Sequence, residues 1–321
     1  MSAKLSLINT DLHKTECKKP WEKQNISSHL EARKIINVNF PELKIDQVNL
    51  LGEGWDNTTW LVNGHLCFRF PKHEEAATLL LNEIKVLSQS LELNLNIPSP
   101  GHICMSPKQF EYPFYAHSFI DGITADKANL SPIERSCIAK PLAIFLKKLH
   151  TYPIDSCLTE GINYDQIGRL DVKPRFAQVK DRLEYLYKHK VFTNSFEMVD
   201  IYEQHINTII PKHFVLGHGD LYAKHLIISK AKELVGVIDW GDSELLHPAV
   251  DLAIVYQFLP KEAHQKFWDI YGTVDSNSLE LAKLRAIYSS VTISWYAHQV
   301  QDTSLMKEGI LSLRMILKSL Q

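Results

Sequence analysis

Leu216-Gly217-His218-Gly219-Asp220-Leu221-Tyr222-Ala223-Lys224-His225-Leu226-Ile227-Ile228, followed by Val237-Ile238-Asp239-Trp240-Gly241-Asp242, is the stretch that decides how the chain is read. The apolar run after His225, the polar turn-like residues 229–234 and the second apolar run Val235-Gly236-Val237-Ile238 spell a β-hairpin. Asp220 is then expected in the loop entering the first strand and Asp239 at the exit of the second, so that both carboxylates project from one end of the hairpin. Transfer of a phosphoryl group asks for that arrangement. One carboxylate takes the proton of an acceptor hydroxyl, a polar metal ligand follows shortly after, and a second carboxylate holds the magnesium that bridges the phosphates. Asp220, His225 and Asp239 fit those roles in that order. Taken singly, a His-Gly-Asp can be a plain turn and Ile-Asp-Trp-Gly a strand end with an Asx turn. Their spacing across one hairpin favours the site over the turns.

A chain of 321 residues, 45% of them hydrophobic, is long enough for one large or two modest domains. A formal charge of -2 gives no sign of the basic face that a nucleic-acid partner demands. No apolar run reaches the length of a membrane span, and Met1 to Lys19 are polar without a signal-peptide core, so no membrane partner and a cytoplasmic location are expected. Cys17, Cys67, Cys104, Cys137 and Cys157 are scattered without paired spacing, which fits reduced thiols and neither a disulfide framework nor a zinc site. A monomer is the default expectation.

Residues 1–27 carry few apolar positions and read as a loosely ordered extension. A short helix is expected over His29 to Asn37, then strands at Val48 to Leu51, Thr58 to Val62 and Leu66 to Phe70, the last two joined by the hairpin signal Asn63-Gly64. Helical spacing of Leu79, Leu80, Ile84, Leu87 and Leu91 predicts a helix over Thr78 to Ser90, and further strands fall near Ile103 to Cys104 and at Phe114 to Ile120. Beyond them the pattern turns helical. Ser131-Pro132-Ile133-Glu134 is a capping box opening a helix to His150, stopped by Pro153. More helices are predicted at Arg175 to Lys188, Phe196 to Ile210, Pro248 to Phe258, Lys261 to Tyr271, Ser278 to His298 and Ser304 to Leu320. A β-rich front and a helical back make a two-lobed α+β molecule whose cleft is the natural ligand site. The N-terminal lobe, residues 28–118, is expected to bind nucleotide, and the C-terminal lobe, residues 119–321, to hold the catalytic and acceptor sites.

Within the front lobe, Gly52 and Gly54 lie between two strands, where missing side chains let backbone N–H groups approach phosphate oxygens; an ordinary hairpin turn fits the same two glycines. Arg69 alternates with Phe68 and Phe70, so it can face the cleft while they enter the core. Glu83, polar in an apolar helix, faces where that cation would lie; a solvated surface glutamate is the plainer alternative.

Landmarks in a fixed order tie these pieces together: Phe40-Pro41-Glu42-Leu43, Leu51-Gly52-Glu53-Gly54-Trp55-Asp56-Asn57, Phe68-Arg69-Phe70-Pro71-Lys72, Asn82-Glu83, Leu146 to His150, His218-Gly219-Asp220, Ile238-Asp239-Trp240-Gly241-Asp242 and Pro248-Ala249-Val250-Asp251-Leu252-Ala253. In these the chain resembles the aminoglycoside phosphotransferase family, bacterial small-molecule kinases that share the protein-kinase fold. The likeness runs from about His29 to the C-terminal helices. It implies a phosphotransferase that uses ATP or GTP with Mg2+ and a small-molecule hydroxyl acceptor. By the same likeness Asp220 is the catalytic carboxylate, Asp239 and His225 face the metal, and Gly52, Gly54, Arg69, Glu83 and the hinge residues Ser118, Phe119 and Ile120 contact the nucleotide.

The family most often has lysine where Arg69 stands, and Lys72 is expected to share its work. Protein kinases and many family members have asparagine where His225 stands. A neutral imidazole is a poorer match for magnesium, so His225 can instead bond the phosphates or orient Asp220. The same replacement resembles the branches acting at an aminoglycoside 2''-hydroxyl and at the macrolide 2'-hydroxyl, which often favour GTP. Asp242 is expected to support the metal loop and Asp251 to anchor backbone amides. Trp268, Tyr271, Trp295 and Tyr296 either wall the acceptor pocket or belong to the core. Rival readings are a metabolic kinase of choline, homoserine or methylthioribose type, and a nucleotide-binding regulator without catalysis. A protein kinase is a third, and no activation-segment signature follows Asp239.

Overall fold

Ser28, Ser131 and Asp275 open three of the helices with side-chain oxygens that accept an N–H of the first turn, as the sequence dictates. The computed structural model describes residues 26–89 and 91–320, so most of the extension expected over 1–27, and Cys17, lie outside the described residues. Helix α1 (His29–Asn39) buries Ala32, Ile35 and Ile36. Strands β1 (Val48–Glu53), β2 (Asn57–Val62), β3 (Leu66–Pro71), β4 (Pro100–Cys104) and β5 (Phe114–Ser118) form one antiparallel sheet in the order β1-β2-β3-β5-β4. The β2–β3 turn holds Asn63 at φ 53° and Gly64 at φ 73°, the left-handed pair that Asn-Gly supplies at little cost.

Between β3 and β4 lies α2 (Glu74–Leu87), which starts and ends earlier than helical spacing predicts. His73 explains the start, because its Nδ1 accepts the Ala76 N–H at 3.2 Å and caps the helix. A histidine cap is not a sequence signal of the usual kind. Leu91, counted with this helix above, lies beyond it.

The helical part comprises α3 (Pro132–His150), α4 (Ile154–Thr159), α5 (Val172–Lys188), α6 (Ser195–Gln204), α7 (Ala249–Phe258), α8 (Lys261–Tyr271), α9 (Ser276–Gln299) and α10 (Thr303–Leu320). The predicted capping box at Ser131 is present, with Ser131 and Glu134 bonded reciprocally. Helix α6 stops well before Ile210, because Thr208 bonds the His205 carbonyl through both its N–H (3.0 Å) and its hydroxyl (2.8 Å), closing a turn. Short strands β6 (Ile123–Thr124), β7 (Val215–Gly217), β8 (Leu226–Ile228), β9 (Leu234–Val237) and β10 (Glu244–Leu246) thread this part, pairing as β6-β8-β9 and β10-β7. The hairpin read from the sequence is β8–β9; β6, β7 and β10 are too short for any alternation to show.

Two apolar cores result. One joins α1 to the sheet through Trp60, Val62, Phe68, Phe70 and Phe114; the larger one fills the helical part, and Val86 and Leu87 of α2 reach into it. The fold is α+β, with a β-rich N-terminal region and a helical C-terminal part. No helix of the described residues is long and apolar enough to cross a membrane.

Candidate active site

Asp251 builds the loop that carries Asp220. Fully buried at the start of α7, it accepts the His218 N–H at 2.7 Å and the Gly219 N–H at 2.9 Å, and His150 Nε2 lies 3.1 Å away. Burial favours the neutral acid, but His150 and the Gly219 N–H outweigh it and hold the carboxyl below its ordinary range. Gly219 sits at φ 84°, where a Cβ would stand 2.2 Å from the Asp242 carbonyl oxygen, so only glycine fits. His218 donates its Nε2 proton to the Ile238 carbonyl at 3.0 Å, and burial keeps the ring neutral. Its bond ties the Asp220 loop to the exit of the hairpin.

Asp220 and Asp239 thereby face one cavity of about 550 Å³ between the sheet and the helical part. His225 stands between them: Nδ1 is 2.7 Å from the Asp220 carbonyl oxygen, and Nε2 is 3.2 Å from Asp239 Oδ2. Burial opposes a charge on this ring, yet the two aspartates prevail and raise its pKa. As placed, His225 offers protons to two oxygens and no free nitrogen lone pair to a metal. Asp239 has φ 70°, a left-handed conformation that aspartate tolerates better than most residues. Its Oδ1 takes Arg69 Nη2 at 2.7 Å. Burial alone would lift its carboxyl, but Arg69 and His225 hold it well below the usual range.

Arg69 on β3 faces the cavity and Phe68 and Phe70 the core, as alternation requires. Its Nε lies 3.1 Å from Glu83 Oε2, and Glu83 Oε1 accepts the Trp240 N–H at 3.1 Å. Glu83 is fully buried, so the solvated-surface alternative is excluded. Neighbouring Asn82 donates to the Gly241 and Ser243 carbonyls at 2.9 and 2.8 Å. Adjacent residues of α2 thus fix the backbone following Asp239.

Gly52 and Gly54 line the cavity, with open space where a Gly52 Cβ would stand. Gly52 lies within β1, opposite Thr59, and only Gly54 lies in the connection to β2. Lys72 does not join Arg69, for its Nζ donates to Glu53 Oε1 and to the Gly54 carbonyl, pinning the end of β1 and that connection. Phe119 and Ile120 line the cavity; Ser118 is exposed and does not. The Phe119 N–H bonds the His65 carbonyl at 2.8 Å and so is already used. The late aromatics separate. Trp268 and Tyr271 pack on the large core, where Tyr271 meets His150. Tyr296 packs tilted against Trp55, ring centroids 4.7 Å apart, beside Gly54, and Trp295 lies under Arg182.

Two groups escaped the sequence reading. Arg169 holds Asp165, Asp242 and Glu244 at 2.8, 2.8 and 2.5 Å, and no spacing announces it. Asp56 lines the cavity, and burial together with Asp239, Asp242 and Asp220 raises its carboxyl to about 6. The folded protein holds that proton more tightly than the unfolded chain, so Asp56 favours the fold below pH 3.8 and costs stability as pH rises through 6. In nucleotide-free protein without magnesium, Asp56→Asn is expected to raise Tm at about pH 8 and to leave it nearly unchanged at about pH 4. Thermal melts at the two pH values check this; an equal gain at both would mean the carboxyl is not perturbed.

Among the described residues, no group of three or more His, Cys, Asp or Glu side chains is arranged to hold a metal ion. Magnesium beside phosphates needs fewer, since it keeps waters and takes one or two carboxylates. Asp239, 42% exposed toward the cavity, suits that demand.

A two-lobed, protein-kinase-like fold with these groups in its cleft defines a phosphotransferase acting on hydroxyl groups. The chain belongs to the phosphotransferase enzyme family, whose model matches residues 47–287. Solved structures of similar fold include the GDP and kanamycin complex of an aminoglycoside 2''-phosphotransferase, APH(2'')-IIIa (22% identity, 90% of this chain and 98% of that one, TM-score 0.67). A type I macrolide 2'-phosphotransferase is also similar (18%, 89% and 97%, TM-score 0.60). So is the macrolide 2'-phosphotransferase MphH from Brachybacterium faecium (16%, 88% and 97%, TM-score 0.58).

Proposed function

We propose that the protein transfers the γ-phosphate of ATP or GTP to a hydroxyl of a small molecule, using Asp220 as the base and residues 28–118 and 119–321 as the two lobes that enclose the nucleotide. The observation that carries this reading is that Asp220, Asp239 and Arg69 line one cavity together with Gly52 and Gly54 of the β1–β2 hairpin.

Asp220 takes the proton of the acceptor hydroxyl as its oxygen attacks phosphorus, which leaves the nucleoside diphosphate as the other product. Arg69, fixed by Glu83, lies at the phosphate end of the cavity and offers guanidinium protons to phosphate oxygens. Asp239 would hold magnesium, assisted by His225 if that ring yields its bond to Asp239. Bound there, magnesium would neutralise negative charge on the transferring phosphate. Gly52 and Gly54 leave room over the phosphates, and Phe119 and Ile120 offer an apolar surface to the base. No covalent enzyme intermediate is needed, because positioning and charge complementarity account for the rate.

GDP is held by the 2''-phosphotransferase of similar fold, and His225 resembles that branch, which supports GTP beside ATP as donor. Aminoglycosides and macrolides are the acceptors those relatives suggest. Incubation with Mg·ATP or Mg·GTP and a panel of aminoglycosides, macrolides and metabolic alcohols, read by product mass, tests the proposal. A product heavier by one phosphoryl group is expected. Absence of magnesium-dependent nucleotide binding would leave the proposal without support.

A further inference from the structure

We infer that the acceptor carries an anionic group beside its reacting hydroxyl, bound by Arg175, Arg182 and Arg285 around Tyr288; the inference rests on the phosphotransferase reading and narrows its substrate class. Arg175 and Arg182 lie on one stripe of α5, about two turns apart, facing Tyr288 and Thr292 on α9, the helix that also carries Arg285. The three guanidinium carbons stand 4.6, 5.7 and 5.6 Å from the Tyr288 ring centroid. Arg182 also donates to Thr292 Oγ1 at 2.6 Å, and Arg285 Nη2 lies 3.4 Å from the carbonyl of Gly219, the residue before Asp220. The cluster therefore adjoins the base.

Among the described residues, none of the three arginines forms an ion pair with a carboxylate, although each is half-buried. Asp220 is the acid that acts on Arg285; the other nearby acids have partners of their own, since Glu53 pairs with Lys72, Asp56 with His73, Asp302 accepts the Leu305 N–H, and Asp165, Asp242 and Glu244 share Arg169. The local field is positive. Burial would raise the Tyr288 phenol, but Arg175, Arg182 and Arg285 together bring it below its usual value. Three like charges converging on one ring repel one another, and cation–π contact offsets only part of that. Arg175 gives Nε and Nη2 to the Gly168 and Ile167 carbonyls at 3.2 and 3.0 Å, which fixes the cluster without neutralising it. A carboxylate or phosphate presented to the remaining guanidinium protons gains charge-assisted hydrogen bonds, whereas a polycationic acceptor adds to the repulsion.

Calorimetric titration of protein saturated with Mg·GDP or Mg·ADP, which fills the nucleotide-phosphate site, tests the inference. The probes are gluconate and glucose 6-phosphate, their neutral counterparts sorbitol and glucose, and kanamycin. The anionic probes are expected to bind about tenfold or more tightly than the neutral ones, and kanamycin not to exceed them. In Arg175→Gln/Arg182→Gln that ratio should fall to about threefold or less, with the nucleotide Kd unchanged. No binding by either anion, equal affinity for charged and neutral probes, tighter binding of kanamycin, or a ratio that survives the double substitution would each overturn it. Loss of nucleotide binding in the unsubstituted protein speaks against the phosphotransferase reading instead, so the two failures are separable.

Discussion

Asp220→Asn lowers kcat by about 10²- to 10⁴-fold while the protein folds as before, if the carboxylate is the base that the geometry makes it. The side chain is 42% exposed, and the loop that carries it is held by its backbone through Asp251, so the amide costs the fold little. The substrate KM for nucleotide should move far less than kcat, because the lost interaction belongs to the moving proton. A second signature lies in the pH profile. Burial, reinforced by Asp242 and Asp239, raises the Asp220 carboxyl, while His225 and Arg285 pull it down without cancelling the rise. The base must be ionised to act, so the acid limb of kcat/KM is expected above the ordinary carboxylate range, and that limb should vanish in Asp220→Asn. Steady-state kinetics across pH decide the point. A variant with near-unchanged kcat would remove Asp220 from the chemistry.

Much of this was legible because local chemistry and tertiary role coincide. Asn63-Gly64 demands a left-handed turn whatever surrounds it, and Ser131 to Glu134 caps its own helix. Asp220 and Asp239 could be brought together on paper because one short hairpin joins them. Asp251 was readable as an anchor for the same reason: it opens a helix just after that hairpin. What could not be read depends on partners distant in the chain. Arg169 gathers three carboxylates from two distant segments, Lys72 turns back to Glu53 and Gly54 instead of toward Arg69, and Phe119 spends its N–H on His65. None of these choices has a period. The late aromatics were legible only as helical residues, and packing alone sends Trp268 to the core and Tyr296 against Trp55 of the β1–β2 connection.

Arg69→Met is expected to be the most damaging single change to stability, by about 3–5 kcal/mol near neutral pH. Arg69 is 6% exposed and Glu83 fully buried, so the substitution leaves a carboxylate in the interior without its cation. Burial already raises the Glu83 carboxyl, and Arg69 is the group that opposes that rise. Without Arg69 the folded-state pKa climbs further above the unfolded one. The fold then holds the proton more tightly than the unfolded chain, so the deficit should shrink toward acid pH and be greatest above the raised pKa. Asp239 loses its partner at Oδ1 at the same time, so nucleotide affinity is expected to fall as well. Arg69→Met/Glu83→Gln separates the two effects. Glutamine keeps a carbonyl oxygen for the Trp240 N–H and carries no charge, so the double variant should recover most of the stability while nucleotide binding stays weak. Urea melts at two pH values with nucleotide titrations on the three proteins provide the measurement. If Arg69→Met lost less than about 1 kcal/mol and did so equally at both pH values, the ion pair would be an ornament of the cleft and the link from α2 through Arg69 to Asp239 would carry no load.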